Sequence, residues 1–259
     1  MTLTQIRILN FGIVAGISLL YILLERIFPY KEQKLFRKGF WNDLIFYSLI
    51  QSVVLGIGIS FLIEFIDNTS GISRFKIISH WPVYLQVIFF VVTHDLYIYL
   101  MHRWQHRNKY LWRTHEAHHT PEDINWLAGA RSHPVEILIN QFIEFAPIVL
   151  LGAPPEVAVY KATISAIWGL HIHCNIRFNT GWLQYIINGS EMHRWHHAPK
   201  TVNTNFATKL AFWDWLFKTG INPKDKKIDT YGTKLPGWPE KNYFKQVAFS
   251  FRPFKRKKK

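Results

Sequence analysis

The chain has 259 residues, of which 49% are hydrophobic, 16% aromatic and 19% charged, with 31 Lys and Arg against 17 Asp and Glu and a formal net charge of +14. This apolar and aromatic content excludes a disordered or low-complexity chain and points to a single folded unit. The one cysteine, Cys174, excludes an internal disulfide framework and any four-thiolate zinc or iron–sulfur site, so metal chemistry must draw on His and carboxylate side chains.

Residues 6–24 hold one ionic side chain, Arg7, and the run NFGIVAGISLLYILL is apolar around its whole circumference rather than along one stripe. At ~1.5 Å per residue that length nearly spans the hydrocarbon core of a bilayer. The run ends in Glu25-Arg26-Ile27-Phe28-Pro29 rather than in a small-residue cleavage site, so a retained transmembrane helix is expected in preference to a secretory signal. A second run covers residues 44–66, interrupted by Gln51 and Glu64, and a third covers residues 83–101 with His94 and Asp95 inside it. Buried helices of a soluble protein can each look like this, but three such runs before residue 102 read better as membrane spans. Two shorter apolar stretches, 135–151 and 156–171, are joined by Gly152-Ala153-Pro154-Pro155, which cannot continue a helix, and read as a helical hairpin. Because Glu144 and Lys161 lie inside it, the hairpin is expected to be inserted only in part, or to face protein rather than lipid.

Loop charges give an orientation. Residues 26–43 carry Arg26, Lys31, Lys34, Arg37 and Lys38, whereas residues 67–82 carry only Arg74 and Lys76. The positive-inside rule puts the first loop in the cytoplasm, so the third span delivers His102 and everything after it to that side, and the hairpin returns there. The expected fold is an all-α, multi-pass membrane helical bundle with a histidine-rich two-metal site on its cytoplasmic face. Its segments are N-terminal spans and loops at 1–82, a catalytic region at 83–219 and a basic C-terminal tail at 220–259.

Eight of the 13 histidines form three tight groups: His102 with His106, His115 with His118 and His119, and His193 with His196 and His197. On a helix, side chains four apart differ by about 40° in direction and adjacent ones by about 100°. Each i, i+4 pair can therefore hold one ion from one face, while the additional histidine of each HxxHH group points elsewhere and can reach a second ion. Imidazole suits iron, copper, zinc and nickel alike, so the ligand type does not name the metal. His115-Glu116-Ala117-His118-His119 also satisfies the zinc-protease pattern HExxH, with Glu116 as general base. Against that reading, HRWHH repeats the HxxHH spacing without the Glu, and one zinc needs three protein ligands rather than eight.

HDLYIYLMHRWQH, HEAHH, HCN and HRWHH together resemble the fatty acid hydroxylase and sterol desaturase superfamily, membrane enzymes that hold two irons in histidine boxes. Arg131, His133, Pro134 and Glu136, then Asn175, Asn205, Trp213, Asp214, Phe217 and Thr219 also resemble family positions, over residues 91–219. The chain departs from the pattern at Ala207 and Lys218, where many members show Gly, which puts a local turn in question. The resemblance implies two iron ions and oxidation of a fatty acyl or sterol-like C–H bond by O2, with hydroxylation ahead of desaturation and a zinc-dependent hydrolase as the remaining alternative. It also makes His173 a further metal ligand. No haem-binding segment, Cys quartet or nucleotide fingerprint occurs in the sequence, so electrons are expected from a separate redox partner such as a cytochrome or ferredoxin.

Among the remaining candidates, His94 and Asp95 sit at membrane depth, where ionisable groups are costly and usually functional. Asp95 is expected either to orient a ligand imidazole or to make a helix-to-helix hydrogen bond. His133 and Asn175 are expected behind the metal ligands or along the substrate path. His171 should make a polar contact at the hairpin end, and His80 an ordinary interfacial one. Arg103 and Arg194 point off the ligand face and are candidates for phosphate or carboxylate contacts. About two thirds of the charge excess lies in residues 223–259. Without a nucleic-acid motif, its terminal Lys-Arg run reads as a contact to anionic lipid, not nucleic acid, and Lys255 with Lys257 also fits a retrieval-type spacing.

Overall fold

The computed structural model describes residues 1–223 and 226–254. Among these the chain is helical, and the one extended pairing is an isolated antiparallel bridge between Pro29 and Ile176. Helix α1 (Leu3–Ile27) starts at a capping box: the Thr2 hydroxyl accepts from the Gln5 amide while the Gln5 side chain accepts from the Thr2 amide. Helix α2 (Asn42–Ser70) is π-helical over Asn42–Gln51 and stops at Gly71, whose φ of 66° ends the ladder. Helix α3 (Val83–Arg107) follows Pro82. These three are long and apolar enough to cross a membrane, and outward-facing Phe11, Leu19, Val54, Ile57, Phe61 and Ile88 are exposed apolar side chains. A soluble protein would bury such a belt.

After the short α4 (Lys109–His115), helices α5 (Pro134–Leu150) and α6 (Pro155–His173) form the expected hairpin. Of the two expectations for it, the structure agrees with the one in which its charges face protein. The Ile78 amide donates to the Leu151 carbonyl at 3.1 Å, and a Cβ on Gly152 (φ 76°) would meet the Ser73 carbonyl oxygen and the Lys76 backbone at 2.8 Å. The hairpin tip is thus held against the α2–α3 connection, and Ile78, Val87, Phe90, Ile148 and Val157 close a core there. The hairpin runs the full height of the bundle because its charges are turned inward: Glu144 and Lys161 are buried and paired with each other. Helix α6 packs against α1, α3 and α5, and α2 lies on α5 through Ile59, Ile63 and Ala146.

The opposite end of the bundle carries α7 (Ser190–His196), α8 (Phe212–Leu216) and α9 (Tyr243–Phe249). The described part of the basic segment folds across this end. Ile228 and Tyr231 pack with Ile124, Ala128 and Ala198, and the fully buried Gln246 accepts from Asn42 Nδ2 at 2.8 Å and the Tyr47 hydroxyl at 3.0 Å. Lys255 and Lys257, with the terminal basic run, lie outside the described residues.

Candidate metal centre

The end of the bundle away from the hairpin tip gathers nine histidines into two groups. His102 and His106 on α3, His115 and His119 at and after α4, and His196 on α7 form one; His118, His173, His193 and His197 form the other. Within each group the candidate ligand nitrogens lie within 4.8 Å of one another. The division follows helical direction: the i, i+4 pairs 102/106, 115/119 and 193/197 each stay together, while His118 and His196 cross to the other group.

Five of the nine rings are held through Nδ1 by an oxygen. His102 bonds the Phe206 carbonyl at 2.7 Å, His118 that of Arg131 at 3.2 Å, His173 that of Gly169 at 2.8 Å and His196 that of Thr204 at 2.7 Å, while His115 bonds Glu136 Oε1 at 2.9 Å. A carbonyl oxygen only accepts, so the proton sits on Nδ1 and Nε2 is a bare lone pair. The bare Nε2 atoms of His118 and His173 face each other at 3.3 Å. The Nε2 atoms of His193 and His197, rings whose Nδ1 atoms have no partner among the described residues, continue the cluster, that of His193 at 3.0 Å from His173 and the two at 3.1 Å from each other. In the first group His119 Nε2 lies 3.2 Å from that of His115 and 3.1 Å from that of His196. His102 and His106 Nε2 are buried with no protein partner. Two lone pairs at 3.3 Å repel unless a cation lies between them, and metal–nitrogen bonds of about 2.1 Å place neighbouring ligand nitrogens about 3.0–3.4 Å apart. The donor set therefore fits metal ions. Burial, reinforced by the neighbouring imidazoles, pushes the pKa values of His115, His118, His119, His193, His196 and His197 well below the ordinary histidine range, which keeps the lone pairs free.

The carbonyls are themselves positioned. Asn205, at φ 53°, turns the chain so that the carbonyls on either side of it, Thr204 and Phe206, reach two different imidazoles. Its side chain fixes the turn by donating to the Met192 and Ile221 carbonyls at 2.7 and 2.9 Å. Asp214 accepts from the Phe206 and Ala207 amides at 2.9 and 2.8 Å. The turn put in question by Lys218 forms with that residue left-handed, at φ 56°. Asp95 touches no imidazole; it accepts from the Lys209 and Leu210 amides, Thr208 and Trp213, clamping the loop whose Phe206 carbonyl holds His102.

Other candidates also stand apart from the two groups. His133 caps α5, accepting from the Val135 amide, with its other ring nitrogen at the Val247 carbonyl. Asn175 bonds the Lys31 backbone, and its amide donates to Glu25. These two residues fasten α5 and the first loop and do not support the ligands directly. Glu25, which also accepts from Trp126, was not singled out by its sequence context. His171 meets the Tyr21 hydroxyl at 3.1 Å, and His80 is exposed. Arg194 is buried, donates to the Cys174 and Ile176 carbonyls and lies over the Tyr30 ring, so it is closed to a phosphate; Arg103 donates to the Tyr99 hydroxyl. Both carboxylate oxygens of Glu116 are taken by Arg252, which leaves no general base for the zinc-protease reading.

Two spaces flank the centre. An inner cavity of about 210 Å3 runs from His102, His115, His118, His173 and His193 into the bundle, past Glu136 and Trp168 to His94, Asn140, Glu144 and Ser165. An outer cleft of about 560 Å3 opens beside His106 at the end of the bundle.

Residues 87–219 match the family model described as fatty acid hydroxylase. Ornithine lipid hydroxylase OlsE of Rhizobium tropici is 30% identical over 91% of this chain and 72% of its own length. Alkylglycerol monooxygenase of Danio rerio is 32% identical over 55% of this chain, which spans 31% of that protein. Sphingolipid C4-hydroxylase of Schizosaccharomyces pombe is 30% identical over 53% of this chain and 48% of its own length. No solved structure matches. With half of its length matched by the family model and one relative aligned almost end to end, the chain belongs to the fatty acid hydroxylase family.

Proposed function

We propose that this chain is an O2-dependent membrane lipid hydroxylase holding two irons, one in each histidine group. The observation that carries the reading is the facing of two bare, buried Nε2 lone pairs, those of His118 and His173, beside a second histidine cluster whose candidate ligand nitrogens also lie within 4.8 Å of one another. His102, His106, His115, His119 and His196 would hold one iron, and His118, His173, His193 and His197 the other. Iron bound there supplies the redox chemistry needed to activate O2, which zinc does not. The overall conversion is R–H + O2 + 2 electrons + 2 protons → R–OH + H2O, so a reductant from outside the chain is required.

The protein's own contribution is positioning. Carbonyl and carboxylate partners lock the rings in one tautomer, and the burial of the centre keeps bulk water from the reacting atoms. The inner cavity is lined by His94, Asn140, Glu144 and Ser165 as well as by five of the histidine rings. That lining favours a lipid that brings a polar group close to the centre over one that offers only an apolar chain. The loop charges support a cytoplasmic position for the centre, with 1–82 as the membrane anchor, 83–219 as the catalytic region and 220–259 as the basic segment.

Metal analysis of the purified chain tests the assignment: about two irons per chain are expected from one ion per histidine group. One zinc and no iron would refute it in favour of a hydrolase. With 18O2, lipids from cells expressing the chain should gain one labelled hydroxyl that His193→Ala abolishes; new double bonds without label would make it a desaturase.

A further inference from the structure

The outer cleft is the second route to the centre. His106 is the one histidine of the nine that is not fully buried, and it lines this cleft together with Trp112. The indole stands 4.9 Å from the His106 ring and 5.3 Å from that of His119, centroid to centroid, so it touches two members of the five-histidine group. Among the described residues, the charged ones lining the cleft are Arg107, Lys109, Arg113 and Arg252 against one carboxylate, Glu116, which is buried and already bound by Arg252. Phe254 forms part of the wall.

We propose that a small acidic one-electron carrier protein docks in this cleft and delivers electrons at the His106–Trp112 edge. The proposal rests on the oxygenase reading above, which requires two electrons per turnover. In each delivery the carrier is oxidised and one iron is reduced, and two deliveries complete the balance already given. Cations around a concave rim steer an acidic partner and fix its orientation. An anionic bilayer would supply the same charge, but a flat surface does not fill a cleft that ends at a metal ligand. The geometry also keeps the reactants apart, with lipid approaching through the inner cavity and reductant from the other side.

The test uses the full chain in nanodiscs of neutral lipid, titrated with a purified acidic two-iron ferredoxin and with an acidic soluble cytochrome. At least one should bind, with affinity falling as salt rises. The double variant Arg107→Glu, Lys109→Glu should weaken that binding by about tenfold or more, while Arg74→Glu at the far end of the bundle should not. Carbodiimide cross-linking to the carrier's carboxylates should map to Lys109. The proposal is overturned if neither carrier binds, if the double variant binds both as the parent does, or if the variant loses only affinity for anionic vesicles, which would assign the cleft to the membrane surface. Binding is also measured on the metal-free chain, so a failure of docking is distinguishable from a failure of the iron assignment.

Discussion

Glu136 offers a sharp test of how the centre is held. Its Oε1 accepts the Nδ1 proton of His115 at 2.9 Å, its Oε2 is buried without a partner, and the residue is 6% exposed. Glu136→Gln keeps the shape and can still offer a carbonyl oxygen, but removes the negative charge. A hydrogen bond to a charged group is worth about 1.5–3 kcal/mol against about 1 for a neutral one, so the loss is on the order of 1 kcal/mol, or a several-fold weaker hold on the ion of the five-histidine group. Glu136→Leu also strands the Nδ1 donor, which adds about 1–3 kcal/mol and brings the loss to about 2–4 kcal/mol, or about 30- to 1,000-fold, at or above the range of about 10–100-fold typical of such partners. Because His115 belongs to only one group, chelator competition should strip one ion of two from the Leu variant while the second stays at parental affinity. Iron content after graded chelator treatment, with Mössbauer spectra to separate the sites, measures this. Equal loss from both groups, or retention within about twofold of the parent by the Leu variant, would refute the assignment of Glu136 as the His115 anchor.

Acid should destabilise the metal-free chain. The six loop and α7 histidines have folded pKa values below that of the unfolded chain, about 6.5, so the unfolded state binds more protons as pH falls through that value. Their contribution is complete above about pH 6.5 and is lost below it, at up to about 1.4 kcal/mol per pH unit for each histidine, and melting curves insensitive to acid would contradict this. Lys161→Met strands the Glu144 carboxylate and should cost about 3–5 kcal/mol, whereas the double change with Glu144→Leu should recover most of it; equal melting temperatures for the two variants would contradict the pairing. Gly129→Ala places a Cβ 2.5 Å from His173 Nδ1, so it should lower metal occupancy of the four-histidine group selectively, again read as ions per chain.

The length of the apolar runs was enough to identify the three long helices, because lipid exposure leaves apolar side chains all round a helix, and Gly152-Ala153-Pro154-Pro155 was enough to divide the hairpin. The grouping of the histidines was legible for a related reason: i, i+4 spacing fixes which side chains share a direction, and the 102/106, 115/119 and 193/197 pairs each stay together. The partners of the imidazoles were hidden because four of the five are backbone carbonyls, and every residue has one. Asp95 shows the same limit. Its membrane depth marked it as costly to bury, yet what offsets the cost is a pair of loop amides more than 110 positions away. The pairing inside the hairpin was obscured because Glu144 and Lys161 read singly as charges in an apolar run, while in the fold they pair with each other.

The two carbonyls splayed by Asn205 have a consequence for the birth of the protein. They come after α7, which itself follows the hairpin, and they orient His102 and His196, residues far apart in the chain. A chain emerging from the ribosome therefore has its membrane helices well before it has a competent five-histidine group. On the proposed two-metal reading, metal delivery would be a late event in biogenesis, and chains truncated just before residue 204 should still insert into the membrane while failing to retain that group's ion.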